Sequence, residues 1–180
     1  MASIINPNQL DLNAIYSYTD YLTWDFWERC EITKGKVHSL PGSNTLHQSV
    51  SGKLCVMMYD VIKKLRGQAF NAPLDVCLFN PLIVPQSDNH VFTVVQPDIM
   101  VFIDKNKVKE RGGFSTSEFI IEILSPGNAK YELKTKKDLY EEYGVLEYLI
   151  VDPLRETIIQ YVFNETKFSS PAIYLGNDKL

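Results

Sequence analysis

Two carboxylates stand out for the company they keep. Glu122 lies inside Phe119-Ile-Ile-Glu-Ile-Leu124, an apolar run of strand character, where an acid seldom goes without a partner. Asp98 follows Pro97 in Gln96-Pro-Asp-Ile-Met-Val-Phe102, at the edge of a second apolar run. Carboxylates on neighbouring strands offer hard oxygens that one Mg²⁺ can share. The plainer reading of either acid is a strand-end carboxylate that pairs with a lysine or caps backbone N–H groups. Lys136, on the helix expected after Glu122, is the third candidate. An ammonium beside such carboxylates can orient a water or offset phosphate charge. Its plainer reading is a surface pair with Glu132, four residues earlier.

These residues need elements to hold them. Thr19 is expected to cap a short helix over Tyr21–Trp24. Apolar runs around Cys30–Thr33 and Val37–Leu40 flank Lys34-Gly35 and predict a hairpin. Ser43 to Arg66 is the clearest helix, with Leu46, Val50, Leu54, Met57, Val61 and Leu65 forming one apolar stripe and Gly67 just past its end. Phe70, Ala72, Leu74, Val76 and Leu78 alternate as a strand, with Pro73 marking an edge or bulge. Val91–Asp104 is strand-like and interrupted at Pro97, and Lys105–Ser117 is polar and contains glycine. Asn128 or a neighbour would cap a second helix over Tyr131–Tyr143, ended by Gly144. Strands at Tyr148–Val151 and Thr157–Phe163 follow, and the final seventeen residues are expected to be a loose tail. The order helix, three strands, helix, strand implies a mixed sheet with helices packed on it, an α/β or α+β layer fold.

At 180 residues the chain suits one domain, 1–180, with a core over about 43–163 and a hairpin extension over about 16–42. The odd count of cysteines (Cys30, Cys55, Cys77) and the absence of a CxxC pair exclude a disulfide framework. His38, His47 and His90 lack zinc-ligand spacing, so buried or half-buried thiols are expected. There is no run of about 20 apolar residues to span a membrane. MASIINPNQL lacks the pattern of a secretory signal, and the expected location is the cytoplasm. The net charge of −4 argues against a general nucleic-acid binder. Lys105–Lys137 nevertheless carries eight basic residues against four acidic ones, a local excess of +4. It is expected to be either a phosphate-facing surface or a solvated helix and loop face.

Several blocks together resemble a known family. They are Tyr18-Thr19 with Tyr21-Leu22, Glu31-Ile-x-x-Gly35, His47-Gln48, Val95-x-Pro97-Asp98, Ile121-Glu122-Ile-Leu-Ser-Pro126, Leu133-x-x-Lys136-x-x-x-Tyr140, and Gly144-Val145-x-Glu147-Tyr148 through Asp152-Pro153. From Tyr18 to Phe163 the chain is similar to the Uma2 family, within the PD-(D/E)XK superfamily of restriction-endonuclease-like nucleases. The resemblance implies an α/β restriction-endonuclease-like core: helix, three strands, helix, strand, with a mixed central sheet flanked by helices and an N-terminal hairpin extension. It implies a DNA endonuclease in which Asp98, Glu122 and the main-chain carbonyl of Ile123 bind Mg²⁺ or Mn²⁺. It also implies a homodimer, which suits the cutting of two strands. The superfamily lysine two residues after the glutamate is Leu124 here, and the resemblance moves that role to Lys136. The hairpin block of the family ends Asp-Gly, and here Lys34 stands in place of the aspartate.

Within this frame Glu31 and His47 become candidate catalytic residues. His47 falls in the first turn of the long helix, where the superfamily often has an accessory acid, and an imidazole there can meet a phosphate or a metal-bound water. Lys130, Lys134 and Lys137 are the candidate nucleic-acid contacts. Two rivals stand beside the nuclease. One is a non-catalytic nucleic-acid-binding or interaction module that keeps the fold. The other is a metal-dependent enzyme acting on a different phosphate compound in a closed pocket.

Overall fold

The structure is a computed structural model that describes residues 4–80, 87–125 and 131–176. The chain opens with α1 (Tyr18–Tyr21), then the hairpin β1 (Cys30–Thr33) and β2 (Lys36–Ser39), and the long helix α2 (Thr45–Lys64). Next come β3 (Gln68–Asn71), β4 (Val76–Cys77), β5 (Val94–Val95), β6 (Ile99–Phe102), β7 (Val108–Lys109), β8 (Gly112–Phe114) and β9 (Phe119–Ile123). A π-helical turn over Tyr131–Lys136 runs into α3 (Lys137–Glu142). The last elements are β10 (Glu147–Asp152), β11 (Thr157–Asn164), β12 (Lys167–Phe168) and β13 (Ala172–Leu175).

Two sheets result. The larger has the order β12-β11-β10-β9-β6-β3, with β13 also on β11. In it β3, β6 and β9 pair antiparallel, and β10 lies parallel to β9 after the crossover through α3. This is the expected helix, three strands, helix, strand core. Its central strands carry nearly continuous apolar residues because both faces are covered. Ile99, Ile121, Ile123, Leu149 and Val151 face α2, packing with Val50, Leu54 and Met58. Met100, Phe102, Ile120, Tyr148 and Ile150 face the other way and pack with Leu139 and Tyr140 of α3.

The smaller sheet has the order β2-β1-β5-β4-β8-β7. The N-terminal hairpin joins this sheet: Ile32 of β1 pairs with Val94 of β5. Its turn uses Lys34 at φ 50° and Gly35 at φ 80°, the two positive angles that a two-residue hairpin loop requires. A Cβ at Gly35 would come within 2.5 Å of Ile15 Cγ2. The Lys34 ammonium meets Glu142 at the surface, so the departure from the family's Asp-Gly falls on the turn.

Several sequence expectations need correction. The first helix is Tyr18–Tyr21, capped by Ser17 rather than Thr19, because Asp20 completes a reciprocal cap with Ser17. The alternation from Phe70 to Leu78 is broken into β3 and β4 by a turn at Ala72-Pro73. Lys105–Ser117 contains the β7–β8 hairpin, and the tail contributes β12 and β13 as partners of β11. On α2 the apolar stripe is packed only in part: Val50 and Leu54 meet the sheet, and its other members are open. Met57 is 73% exposed and Val61 57%, with Leu46 and Leu65 also open, whereas His47, Ser51 and Ile62 are buried. The helix is turned so that His47 meets Asp98 and Ser51 meets Asn71 of β3. The left-handed residue at its end is Arg66, not Gly67. The cap expected near Asn128 lies outside the described residues.

Candidate active site

Asp98 immediately precedes β6, and Glu122 is the fourth residue of β9. The register Ile99↔Ile121 makes them neighbours at one end of the sheet. The Asp98 backbone N–H donates to Glu122 Oε2 at 3.3 Å, and the Ile123 N–H donates to Asp98 Oδ2 at 2.8 Å. Glu122 shares a sheet face with Ile120 and so points toward α3. There it accepts from the Tyr140 hydroxyl at 2.7 Å and from Lys136 Nζ at 2.7 Å.

Lys136 is buried, at 1% exposure, which excludes the surface-pair reading. Its ammonium also donates to Glu31 Oε1 at 2.7 Å. Glu31 comes from β1 in the smaller sheet, and the same oxygen accepts the Gln96 N–H at 2.7 Å. The ammonium thus bridges acids from both sheets. His47 enters from α2 with Nε2 2.9 Å from Asp98 Oδ2. The five candidate catalytic residues, Asp98, Glu122, Lys136, Glu31 and His47, therefore converge at one place.

Burial pushes the Glu122 carboxyl well above the usual range, against the pull of Lys136, and the Asp98 and Glu31 charges add to the rise. His47 is raised as well, chiefly by its hydrogen bond to Asp98. The site holds carboxylate charge at high desolvation cost, and added positive charge relieves that cost.

A pocket opens over this cluster. It is bounded by Pro41 and Ser43 before α2, by Arg29 and Ser125, and by the carboxylates themselves. Among the described residues no three His, Cys, Asp or Glu side chains form a cation cage. Mg²⁺ asks for less, since it keeps several waters and is held by one or two carboxylates. Asp98 and Glu122, hard oxygen donors facing one pocket, fit such an ion.

Three neighbours of the site are not among the site residues expected from sequence. Arg29 donates through Nε to Gln96 Oε1 at 2.9 Å. Gln96 in turn donates through Nε2 to Asp75 Oδ1 at 2.9 Å and to the Tyr21 hydroxyl at 3.1 Å. Tyr140 holds Glu122. Their signals were positional: Gln96 directly precedes Pro97-Asp98, Tyr140 follows Lys136 by one helical turn, and Arg29 is two residues from Glu31.

The expected basic rim is reduced. Lys134 is exposed. Lys137 is half-buried, with contacts to Asp138 at 3.1 Å and Glu141 at 3.6 Å. Lys130 lies outside the described residues. Lys107 pairs with Glu118 and Arg111 with Asp88, so much of the local excess of positive charge is used internally. The three cysteines are free thiols, with Cys30 and Cys77 buried. No helix among the described residues is long and apolar enough to cross a membrane.

Comparison with known proteins follows the same line. No curated protein matches the chain. One solved structure, described as a "putative nuclease belonging to DUF820" from Anabaena variabilis ATCC 29413, superimposes with a TM-score of 0.68 at 18% identity. The match covers 88% of this chain and 84% of that one, and it establishes the restriction-endonuclease-like fold. The model of the Uma2 family, described as "Putative restriction endonuclease", matches residues 18–179. With nearly its whole length matched, the chain belongs to the Uma2 family.

Proposed function

We propose that this protein is a Mg²⁺- or Mn²⁺-dependent phosphodiesterase that cuts DNA. The observation that carries the reading is the placement of Asp98 and Glu122 on adjacent strands, with the Lys136 ammonium fixed between Glu122 and Glu31. Family membership supports a nuclease. The metal, the DNA substrate and the residue roles are our assignment.

Asp98, Glu122 and the Ile123 carbonyl would hold the ion. When bound, it supplies polarisation of the phosphoryl oxygen and a lowered pKa for a coordinated water. The chain's own residues do the rest. Lys136 offsets negative charge as it develops on the phosphate and orients the attacking water. Glu31 and Gln96 fix the position of that ammonium. His47 and the Ile123 N–H hold one oxygen of Asp98, and the Tyr140 hydroxyl holds one oxygen of Glu122. Lys130, Lys134 and Lys137 are assigned to the phosphate-facing rim. Two copies would serve the two strands of a duplex.

The test is cleavage of supercoiled plasmid by purified protein with Mg²⁺ or Mn²⁺, stopped by EDTA. Glu122→Gln and Lys136→Met should each abolish most nicking, with folding checked by circular dichroism. Equal cleavage by both variants would remove the assignment. Sedimentation equilibrium reads the oligomeric state.

One observation favours a second reading. Lys136 already satisfies two buried acids, as a structural ion triad would. In that case the protein is an interaction module, and calorimetric titration with Mn²⁺ gives no heat that Asp98→Ala removes.

A further inference from the structure

Three basic side chains line the pocket: Arg29, His47 and Lys136. Lys136 is 2.7 Å from each of two carboxylates, and His47 is 2.9 Å from Asp98. Arg29 differs. Its Nε holds a neutral amide oxygen, that of Gln96, and among the described residues it has no carboxylate partner. An anion entering the pocket therefore meets Arg29 as the cation whose charge is not already matched. A guanidinium with Nε tied down presents its remaining N–H groups in a planar fork that suits a phosphate.

Trp27 lies two residues earlier and is 90% exposed, more than any other large apolar side chain described. The segment around it is anchored from the inside. Trp24 stacks on Phe26 with centroids 5.8 Å apart and also meets Tyr16 and Tyr21. Trp27 alone of this aromatic group is left in water. An exposed indole two residues from a guanidinium without a carboxylate partner among the described residues supplies the two parts by which proteins hold an unpaired nucleotide: backbone to the cation, base on the ring.

We propose that Arg29 and Trp27 form a nucleotide cradle, Arg29 in the pocket wall holding a backbone phosphate and the exposed Trp27, two residues earlier, stacking an adjacent unpaired base. The ligand is a single-stranded or frayed stretch of nucleic acid, since a base within an intact duplex has no free face to offer. The inference rests on the nuclease reading of the same pocket and names the form of substrate that it takes.

The test uses the full-length protein in EDTA, so that binding is read without cleavage. The probe is single-stranded oligothymidylate of about eight nucleotides, within the range of known single-strand sites. The chain has two tryptophans, so quenching of emission is assigned by comparing wild type with Trp27→Phe. Wild type should be quenched and Trp27→Phe should not. Trp27→Ala should bind roughly 10-fold more weakly, as loss of one stacked base implies. Arg29→Met should weaken binding about 10-fold and lower the slope of log affinity against log salt by about one. Arg29→Lys, which keeps the charge and loses the fork, should fall between. A blunt duplex of the same length should bind more weakly than the single strand.

The cradle is overturned if Trp27→Ala and Arg29→Met both bind within two-fold of wild type. It is also overturned if Trp27→Ala turns a dimer into a monomer, which would give the ring to a contact between copies. Cleavage is scored separately on wild type with metal. Intact quenching without cleavage keeps the cradle and removes the nuclease reading; cleavage with unaffected binding in both variants does the reverse.

Discussion

Glu31 and Lys136 are separated by 105 positions in the chain and by 2.7 Å in the structure. Glu31 belongs to the smaller sheet and Lys136 to the crossover between β9 and β10, so their contact joins the two halves of the fold. Both are essentially without solvent contact, at 0% and 1% exposure.

Breaking this contact from the lysine side should be the more damaging change. Lys136→Met leaves Glu31 and Glu122 buried without their shared cation, and the expected loss is about 3–5 kcal/mol. Glu31→Gln keeps an acceptor for the Gln96 N–H and should cost less. The double variant should recover part of the loss, because the two sites are coupled. Urea unfolding of the three variants checks the order.

Tyr140→Phe removes one donor to Glu122 Oε1 and keeps the ring packing against Tyr148. A hydrogen bond to a charged group is worth about 1.5–3 kcal/mol, and a loss in that range is expected on chemical denaturation. Lys136 remains on the same oxygen, which favours the lower end. A loss below about 0.5 kcal/mol would show that the hydroxyl does little there.

On the proposal that Asp98 binds the ion, His47→Ala should lower Mn²⁺ affinity by about 10–100-fold, the usual consequence of removing a group that orients a metal ligand. The imidazole sits on Asp98 Oδ2, and without it that carboxylate rests on the Ile123 N–H. Calorimetric titration measures the change; tighter binding in the variant would mean that His47 competes with the ion.

Asp75 should leave a signature in pH dependence. Burial raises its carboxyl above the usual range, with hydrogen bonds from Gln96 and Tyr21 opposing the rise. The folded state then holds its proton to higher pH than the unfolded chain, whose aspartate titrates near pH 4. Between those two values the folded state binds more protons, so stability falls as pH rises through the window. Asp75→Asn keeps an acceptor oxygen for both donors and removes the charge. Its stability should therefore fall less than that of wild type when urea midpoints are compared from pH 4 to pH 8.

The exposed side of α2 gives a further check. Met57→Lys should change stability by no more than about 0.5 kcal/mol, as surface substitutions do, whereas Ile62→Ala should cost about 2–5 kcal/mol. The apolar stripe read from periodicity implies the opposite order.

That reversal marks where sequence reasoning stopped. Asp98 and Glu122 were legible because an acid at the edge of or inside an apolar strand is locally anomalous, and Lys136 because the family pattern placed it. The packed face of α2 was legible only at Val50 and Leu54, since periodicity weighs apolarity and this helix turns a histidine and a serine inward to meet polar partners on the strands. Gln96 and Arg29 have no local anomaly: their roles consist of hydrogen bonds to residues far away in the chain. β12 and β13 are short strands that exist through pairing with β11, and such pairing leaves little trace in a segment of two to four residues.

The superfamily's E-x-K arrangement puts acid and ammonium on the same strand, so that both are present whenever the sheet has formed. Here position 124 is leucine and the ammonium comes from the π-helical turn that leads into α3. α3 itself has six residues, too few to be helical in isolation, and it is held down by Leu139 and Tyr140. Were this one crossover to open on its own, the lysine would leave while β6 and β9 stayed paired. On the role proposed for Lys136, such an opening would disarm the site without unfolding the sheet. Hydrogen exchange of the α3 amides would read that opening, separately from the β9 amides, which track the sheet.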